Sequence, residues 1–371
     1  MRILHVYKDF DPPVHGGMER HMALMCRFQR EWAEVRALTC SRRLRTVRTT
    51  RDDTEVREVG EWGRFQSAPV SPTFPYHLRA MNADVNVVHV PNPTAELSYL
   101  LSRPRGKLVV RYQSDVVRQA AAMKAYRPFL MKFLSKADII LAASERYLNT
   151  SSTLQPFSDK CRVVPLGIVP EEFDAPDPMR VQALRDSYGG GFVLFIGRHR
   201  YYKGLDYLVK AAHDIDAPVV IAGTGPERRR VEALSKELGA NIDFIGSLSH
   251  ENLVAHLHAC DVLAFPSIER SEAFGVSMLE AHATGTPVVA TTLGTGVEFV
   301  NLHEETGLNV PPRDADALAA AINALLRNPD LRARYGARAR ERVRAEFDAR
   351  RIARAEFEIY QEVAECPKTG I

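Results

Sequence analysis

Short apolar runs recur along the chain, each closed by glycine, proline or a polar pair, with amphipathic stretches between them. The first is 2–7, RILHVY. An uninterrupted run of this length reads as a strand buried on both faces, as in a parallel sheet. Runs at 35–40, 85–90, 107–112, 139–143 and 162–164 repeat the signal, with crossover helices expected at 79–84 and 127–137. After Gly189, Gly190 and Gly191 the pattern restarts. Strands are expected at 192–196, 219–222, 242–245, 262–265 and 288–291, and helices at 205–212, 227–238, 252–259, 276–284 and 315–326. This alternation predicts an α/β fold of two doubly wound, Rossmann-like domains, with ligands at the C-terminal strand ends.

Residues 165–177 (PLGIVPEEFDAPD) hold three prolines and no periodicity, which marks a boundary. The reading gives 1–170 to a first domain, 171–190 to a linker, 191–345 to a second domain and 346–371 to a closing helix. A chain of 371 residues supports two such cores. The five cysteines form no CxxC pair, which argues against a zinc site or a disulfide framework and for a reducing cytoplasm. The opening strand is too short for a signal peptide, and no apolar run reaches the ~18 residues of a spanning helix.

Net charge is +3, but it is unevenly spread. Residues 1–170 hold 26 basic and 16 acidic side chains, and residues 171–371 hold 23 and 30. The densest basic cluster is Arg42, Arg43, Arg45, Arg48 and Arg51. It suits an anionic membrane surface, at about 1 kcal/mol per basic residue. The alternative is a solvated loop. No aromatic residue interleaves with these arginines, so nucleic acid is not an expected partner.

Candidate chemistry gathers at strand ends. Gly16 and Gly17 follow the first strand and open a helix, where backbone can approach a phosphate or sugar. Arg198 follows the strand 192–196, and Lys203 precedes Gly204 at the next helix start. Two fixed cations there suit a diphosphate, Arg as a bidentate fork and Lys as a point charge. Glu272 stands in the loop before the helix 276–284, and Glu280 lies on that helix. The two carboxylates can grip hydroxyls of one polyol while the helix end holds its phosphate. Taken singly, each feature has a plainer reading: a turn, two surface cations, a helix cap, a solvated glutamate. Gly223-Thr224-Gly225 reads as a tight turn.

The whole set resembles family 4 glycosyltransferases. ERSEAFGVSMLE (269–280) resembles the family's Glu-x7-Glu element. GGMERH (16–21), PLGI (165–168), GRHRYYKGLDYLVKA (197–211), AGTGPE (222–227) and EETGLNVPPRD (304–314) follow in the family's order. The resemblance implies the GT-B fold, two Rossmann-like domains facing each other across a cleft, and a last helix that crosses back to the first domain. It implies a retaining, metal-independent hexosyltransferase with no cofactor and a nucleoside-diphosphate sugar as donor. Arg198 and Lys203 would bind the diphosphate and stabilise the leaving group, and Glu272 would contact the transferred sugar. Glu280 would take the ribose hydroxyls, the backbone of Phe274, Gly275 and Val276 the sugar and phosphate oxygens, and Ile245 the base. Many relatives carry a sugar-contacting His where this chain has Gln113. Asp115 is the other candidate there, either orienting an acceptor hydroxyl or capping the next helix.

Residues 293–314 and 111–119 resemble bacterial mannosyl- and rhamnosyltransferases of surface polysaccharide assembly. That branch implies GDP-mannose or GDP-rhamnose as donor and a glycan or lipid-linked acceptor. The expected location is the cytoplasm or, peripherally, the inner face of the membrane. The alternatives are a UDP-sugar transferase acting on a small acceptor and a sugar-nucleotide epimerase of the same fold.

Overall fold

The computed structural model describes residues 1–14, 16–65, 68–115 and 120–366, which fold as two units. The first takes Met1–Leu166 and Ala349–Ile371, the second Gly167–Asp348.

The first unit contributes strands β1 (Arg2–Val6), β2 (Glu34–Ser41), β3 (Val47–Arg51), β4 (Thr54–Gly60), β5 (Gly63–Phe65), β6 (Ala68–Val70), β7 (Val85–Val90), β8 (Lys107–Tyr112), β9 (Ile139–Ala142) and β10 (Cys161–Val163). Eight of them form one sheet in the order β10-β9-β8-β7-β1-β2-β4-β3. Its pairs are parallel except β3, which runs antiparallel to β4. In the middle, Ile3 pairs with Val35 on one side and Val85 on the other, and every residue of β7 and β8 is buried. These are the continuous apolar runs of the sequence, covered by helices on both faces. β5 and β6 form a separate antiparallel pair.

The second unit holds β11 (Val193–Ile196), β12 (Val219–Ala222), β13 (Ile242–Gly246), β14 (Val262–Phe265), β15 (Val288–Thr291) and β16 (Gly307–Val310), all parallel, in the order β13-β12-β11-β14-β15-β16. Its core joins Val193, Phe195 and Ile221 of the sheet to Leu208, Leu318 and Ile322 of the flanking helices.

The segment 171–190 differs from the expected linker. It contains the helix Pro178–Ser187, which packs on the helix His250–Ala259 within the second unit. Asp177 caps its first amides and Pro178 sits at its first position, a start signal that the proline count had masked. The chain changes units at 166/167 and again at 348/349. The strands on either side of these points are tied, with the Ile168 amide donating to the Phe347 carbonyl at 3.0 Å. The last helix, Ala349–Glu365, packs on the first unit's Gly17–Gln29 helix.

Candidate active site

In the second unit β11 ends at Ile196, and the turn Gly197-Arg198-His199 rests on the turn after β12. The Gly197 amide donates to the Ala222 carbonyl at 3.2 Å, and the His199 amide to the Thr224 carbonyl at 2.9 Å. Arg198 is exposed and forms no ion pair among the described residues. Gly204 then turns the chain into the helix Leu205–Ala211 at φ +67°. A Cβ there would lie 1.9 Å from the Pro266 carbonyl oxygen, so glycine is what lets the 266–272 loop close over Lys203.

That approach makes the central contact. Lys203 Nζ lies 2.5 Å from Glu272 Oε2, with both side chains about nine-tenths buried. The ammonium also stands 4.8 Å from the centre of the Phe265 ring. Burial taken alone lowers a lysine's pKa; here Glu272 and Tyr202 outweigh it, and the Lys203 ammonium is raised above its usual range. Ser267 Oγ donates to Glu272 Oε2 at 3.0 Å, and Thr295 Oγ1 to the Glu272 carbonyl at 2.9 Å. Glu272 Oε1 has no partner among the described residues, so one carboxylate oxygen is left for a ligand hydroxyl.

The helix Val276–Thr284 starts beside this pair. Its N-cap, Gly275, takes φ +90°, and no side chain caps the end. The Met278 amide donates to the Gly275 carbonyl at 3.0 Å, and the Val276 and Ser277 amides ahead of it have no acceptor within the helix, which makes them an anion-binding group. Glu280 is buried one turn further in. Phe274 is packed between Phe299 and Phe347, at 6.3 and 6.1 Å between ring centres, which fixes the backbone of 274–276. Ile245 lies on edge strand β13 where the register with β12 shifts between Ile221 and Ala222. Arg198, Lys203, Glu272, Gly275 and Glu280 are thus all carried by C-terminal strand ends of one sheet, or by the helices that follow them.

Gly16, Gly17, Gln113 and Asp115 belong to the first unit. Gly16 is the N-cap of Gly17–Gln29, again without a side-chain cap. Asp115 is held in place, its Oδ1 accepting from the Tyr112 hydroxyl at 2.8 Å and from Ser151 Oγ at 3.0 Å. Whether it caps the next helix falls on residues 116–119, outside the described residues. Gln113 closes a buried line of polar groups. Gln113 Nε2 meets His89 Nδ1 at 3.2 Å, His89 Nε2 meets His5 Nδ1 at 3.1 Å, and His5 Nε2 meets Gln29 Oε1 at 2.9 Å. Gln29 Nε2 donates to the Ala353 carbonyl on the last helix. A carbonyl only accepts, so the line runs one way and each histidine carries its proton on Nε2. Gln113 Oε1 is left without a partner among the described residues, at a residue only 5% exposed. Burial pushes His5 down to about 4 and His89 well below its usual value, which keeps both rings neutral. Beside them Arg111 Nε lies 3.3 Å from Glu356 Oε1, and the Tyr360 hydroxyl donates to Glu356 Oε2 at 2.6 Å. Burial alone would raise the Glu356 carboxyl, but Arg111, His21 and Tyr360 hold it far below the usual range.

Sequence reasoning missed this histidine line, because His5 and His89 read as single polar residues inside apolar runs. It also missed Ser267 and Thr295, which position Glu272. Three Asp-x-Asp triplets, 9–11, 214–216 and 314–316, have structural partners: Asp9 pairs with Arg64 and Asp216 with Arg327, each at 2.6 Å, and Asp314 caps the helix Ala315–Leu326.

Comparison with known proteins identifies the family and the fold. The family model described as "Glycosyl transferases group 1" matches residues 184–342, and "Glycosyl transferase 4-like domain" matches 16–167. The chain is 34% identical to O-antigen chain mannosyltransferase C of Escherichia coli, over 98% of this chain and 99% of that protein. It is 34% identical to D-rhamnosyltransferase WbpZ of Pseudomonas aeruginosa, over 94% of this chain and 93% of that one. Among solved structures, sucrose-phosphate synthase from Thermosynechococcus elongatus superposes with a TM-score of 0.83 at 24% identity over 98% of each chain.

Proposed function

The chain belongs to the group 1 glycosyltransferases, with the GT-B fold, and from that premise we propose that it moves a hexose from a GDP-sugar to a hydroxyl of a glycan or lipid-linked acceptor, with retention and without a metal. The observation that carries this reading is the buried Lys203–Glu272 pair, set beside the uncapped helix at Gly275 and the exposed Arg198. Mannose and rhamnose are the first candidates for the sugar, since both full-length relatives carry those names.

Breaking the bond between the anomeric carbon and the phosphate oxygen leaves charge on the diphosphate. Arg198, Lys203 and the first amides of 276–284 supply fixed positive charge to it, which is electrostatic catalysis. Glu272 offers Oε1 to a hydroxyl of the transferred sugar while Oε2 keeps Lys203 in place. Glu280 takes the ribose hydroxyls, and the backbone at Ile245 meets the base. In the first unit Gln113 Oε1 is the acceptor for a sugar or acceptor hydroxyl, and the amides at Gly16 and Gly17 approach the donor. Retention follows if the acceptor attacks from the face the diphosphate leaves, with the leaving oxygen accepting the acceptor's proton.

Calorimetric titration with GDP, UDP, ADP and dTDP in EDTA tests the reading. Tight binding of GDP alone supports it. Preference for UDP removes the GDP-sugar donor and keeps the transferase. Binding that appears only with a divalent ion overturns the metal-free cation site. Conversion of a donor in the absence of any acceptor would make the protein an epimerase instead.

A further inference from the structure

Of the eleven large hydrophobic side chains that stand exposed among the described residues, five fall between positions 44 and 76: Leu44, Trp62, Phe65, Val70 and Tyr76. Exposed apolar residues are ordinary when scattered; a concentration of them marks a contact surface. Two backbone hydrogen bonds and one side-chain contact bring the segments that carry these five into one neighbourhood. The Glu61 amide donates to the Arg43 carbonyl at 3.0 Å, which lays the 42–46 loop along the start of the β5–β6 hairpin. The Trp62 amide donates to the Val70 carbonyl at 2.8 Å, closing the hairpin's base. Thr46 Oγ1 lies 3.4 Å from His77 Nε2, which places Tyr76 at the loop's other side.

Charge gives the surface its character. Arg42, Arg43, Arg45 and Arg48 are exposed and form no ion pair among the described residues. Arg51, grouped with them in the sequence, pairs with Glu58 at 2.6 Å and drops out of the set. Most acids of the same region are already matched: Asp53 pairs with Arg30 at 2.8 Å and Glu58 with Arg51, while Asp52 stands exposed at the turn between β3 and β4. Arg64 holds Asp9 with two contacts of 2.6 and 2.7 Å and Glu61 with two of 2.9 and 3.2 Å, and both acids are buried. What faces outward along the 42–48 loop and the hairpin is therefore mainly cationic and aromatic, the composition of a segment that sits in a headgroup layer. No helix of the described residues is long and apolar enough to span a bilayer.

The same anchors fix the location. Asp9 follows the C-terminal end of β1, and Thr94 Oγ1, just beyond β7, donates to the Pro69 carbonyl of the hairpin. The hairpin is thus pinned to the C-terminal edge of the first unit's sheet, the edge at which α/β sheets bind ligands.

We propose that the Leu44–Trp62–Phe65–Tyr76 surface with Arg42, Arg43, Arg45 and Arg48 docks on an anionic phospholipid bilayer, Trp62 and Phe65 entering the headgroup layer. It presents the ligand edge of the first unit to an acceptor held in that bilayer, and in this last respect it rests on the lipid-linked acceptor of the proposed function. Each arginine contributes about fivefold to the partition, so four contribute on the order of several hundredfold, and salt weakens them.

The test is flotation of the full chain with phosphatidylcholine vesicles, with and without phosphatidylglycerol. Binding to the mixed vesicles and not to phosphatidylcholine alone is expected. R42Q/R43Q/R45Q should weaken it by about a hundredfold, and W62S/F65S should weaken it at unchanged charge. In a W32F background, Trp62 emission should shift to the blue on binding. Each variant is also titrated with GDP, and an unchanged affinity separates loss of docking from loss of the donor site. Failure to float with anionic vesicles overturns the proposal. Flotation that survives both sets of substitutions overturns it too, as does equal binding to heparin without a Trp62 shift, which would point to a soluble polyanion.

Discussion

Replacing Lys203 by methionine separates what the buried pair does for the fold from what it does for the reaction. At 2.5 Å the attraction to Glu272 is about 6–7 kcal/mol at an effective dielectric near 20, and most of it is offset by the cost of burying the two charges. Methionine fills the stem's volume but leaves the carboxylate with the Ser267 hydroxyl as its one remaining side-chain partner. A stranded buried charge costs about 3–5 kcal/mol, or about 6–20 °C in Tm for a unit of this size. Adding Glu272→Gln removes that charge. The double variant should regain most of the stability, because the glutamine can still accept from Ser267. Catalysis should not follow. Loss of a fixed charge at the leaving group costs on the order of a hundred- to a thousandfold in kcat, with or without Glu272→Gln. The assays are thermal denaturation of K203M, E272Q and the double variant, and transfer rates for all three. A double variant no more stable than K203M would show that the pair is not the stabilising contact its geometry indicates. Near-normal turnover in K203M would remove Lys203 from the leaving-group site.

Three further outcomes follow from the packing. His5, pushed down to about 4, and His282, pushed down to about 3 by burial and then Arg342, are neutral when folded and charge freely when unfolded. Their contribution is complete above pH ~6.5 and is lost as pH falls toward 4, about 2 kcal/mol each at pH 5, so urea midpoints should drop from pH 7.5 to 5; a flat profile would contradict it. Gly275→Ala forces φ +90° on a side chain whose Cβ would meet Phe265 Cζ at 2.9 Å, at about 1–3 kcal/mol. Gly204→Ala should cost more, because the Pro266 carbonyl cannot move without shifting Ser267 and Glu272, and calorimetry should show weaker donor binding in both. His89→Phe leaves Gln113 Nε2 and His5 Nδ1 unpaired, so stability should fall by about 2–3 kcal/mol. With Gln113 free to turn, KM should rise more than kcat falls, and an unchanged KM would count against its role as an oriented acceptor.

How much of this was legible in the sequence depends on what holds each element. The parallel strands read clearly because burial on both faces leaves an unbroken apolar run; β7 and β12 begin and end at the residues their pattern indicates. β3 and β4 were missed because an edge hairpin is held by backbone pairing, and VRTTR alternates half-buried with exposed positions that carry no apolar signal. The cations and carboxylates of the second unit were legible one by one, since each sits at a strand end marked by glycine. That Lys203 and Glu272 meet was not, because their contact depends on the Pro266 carbonyl passing over Gly204, a tertiary approach with no local trace. The basic cluster shows the same limit from the other side. Its charge was visible in sequence order, but Arg51 leaves it through a cross-strand partner, and Trp62 and Phe65 join it through a hairpin register that brings Gly63 opposite Val70. Charge and apolarity are properties of residues and can be read along the chain. A site is a property of which residues the backbone brings together, and that follows from close approaches that a sequence records only as a glycine.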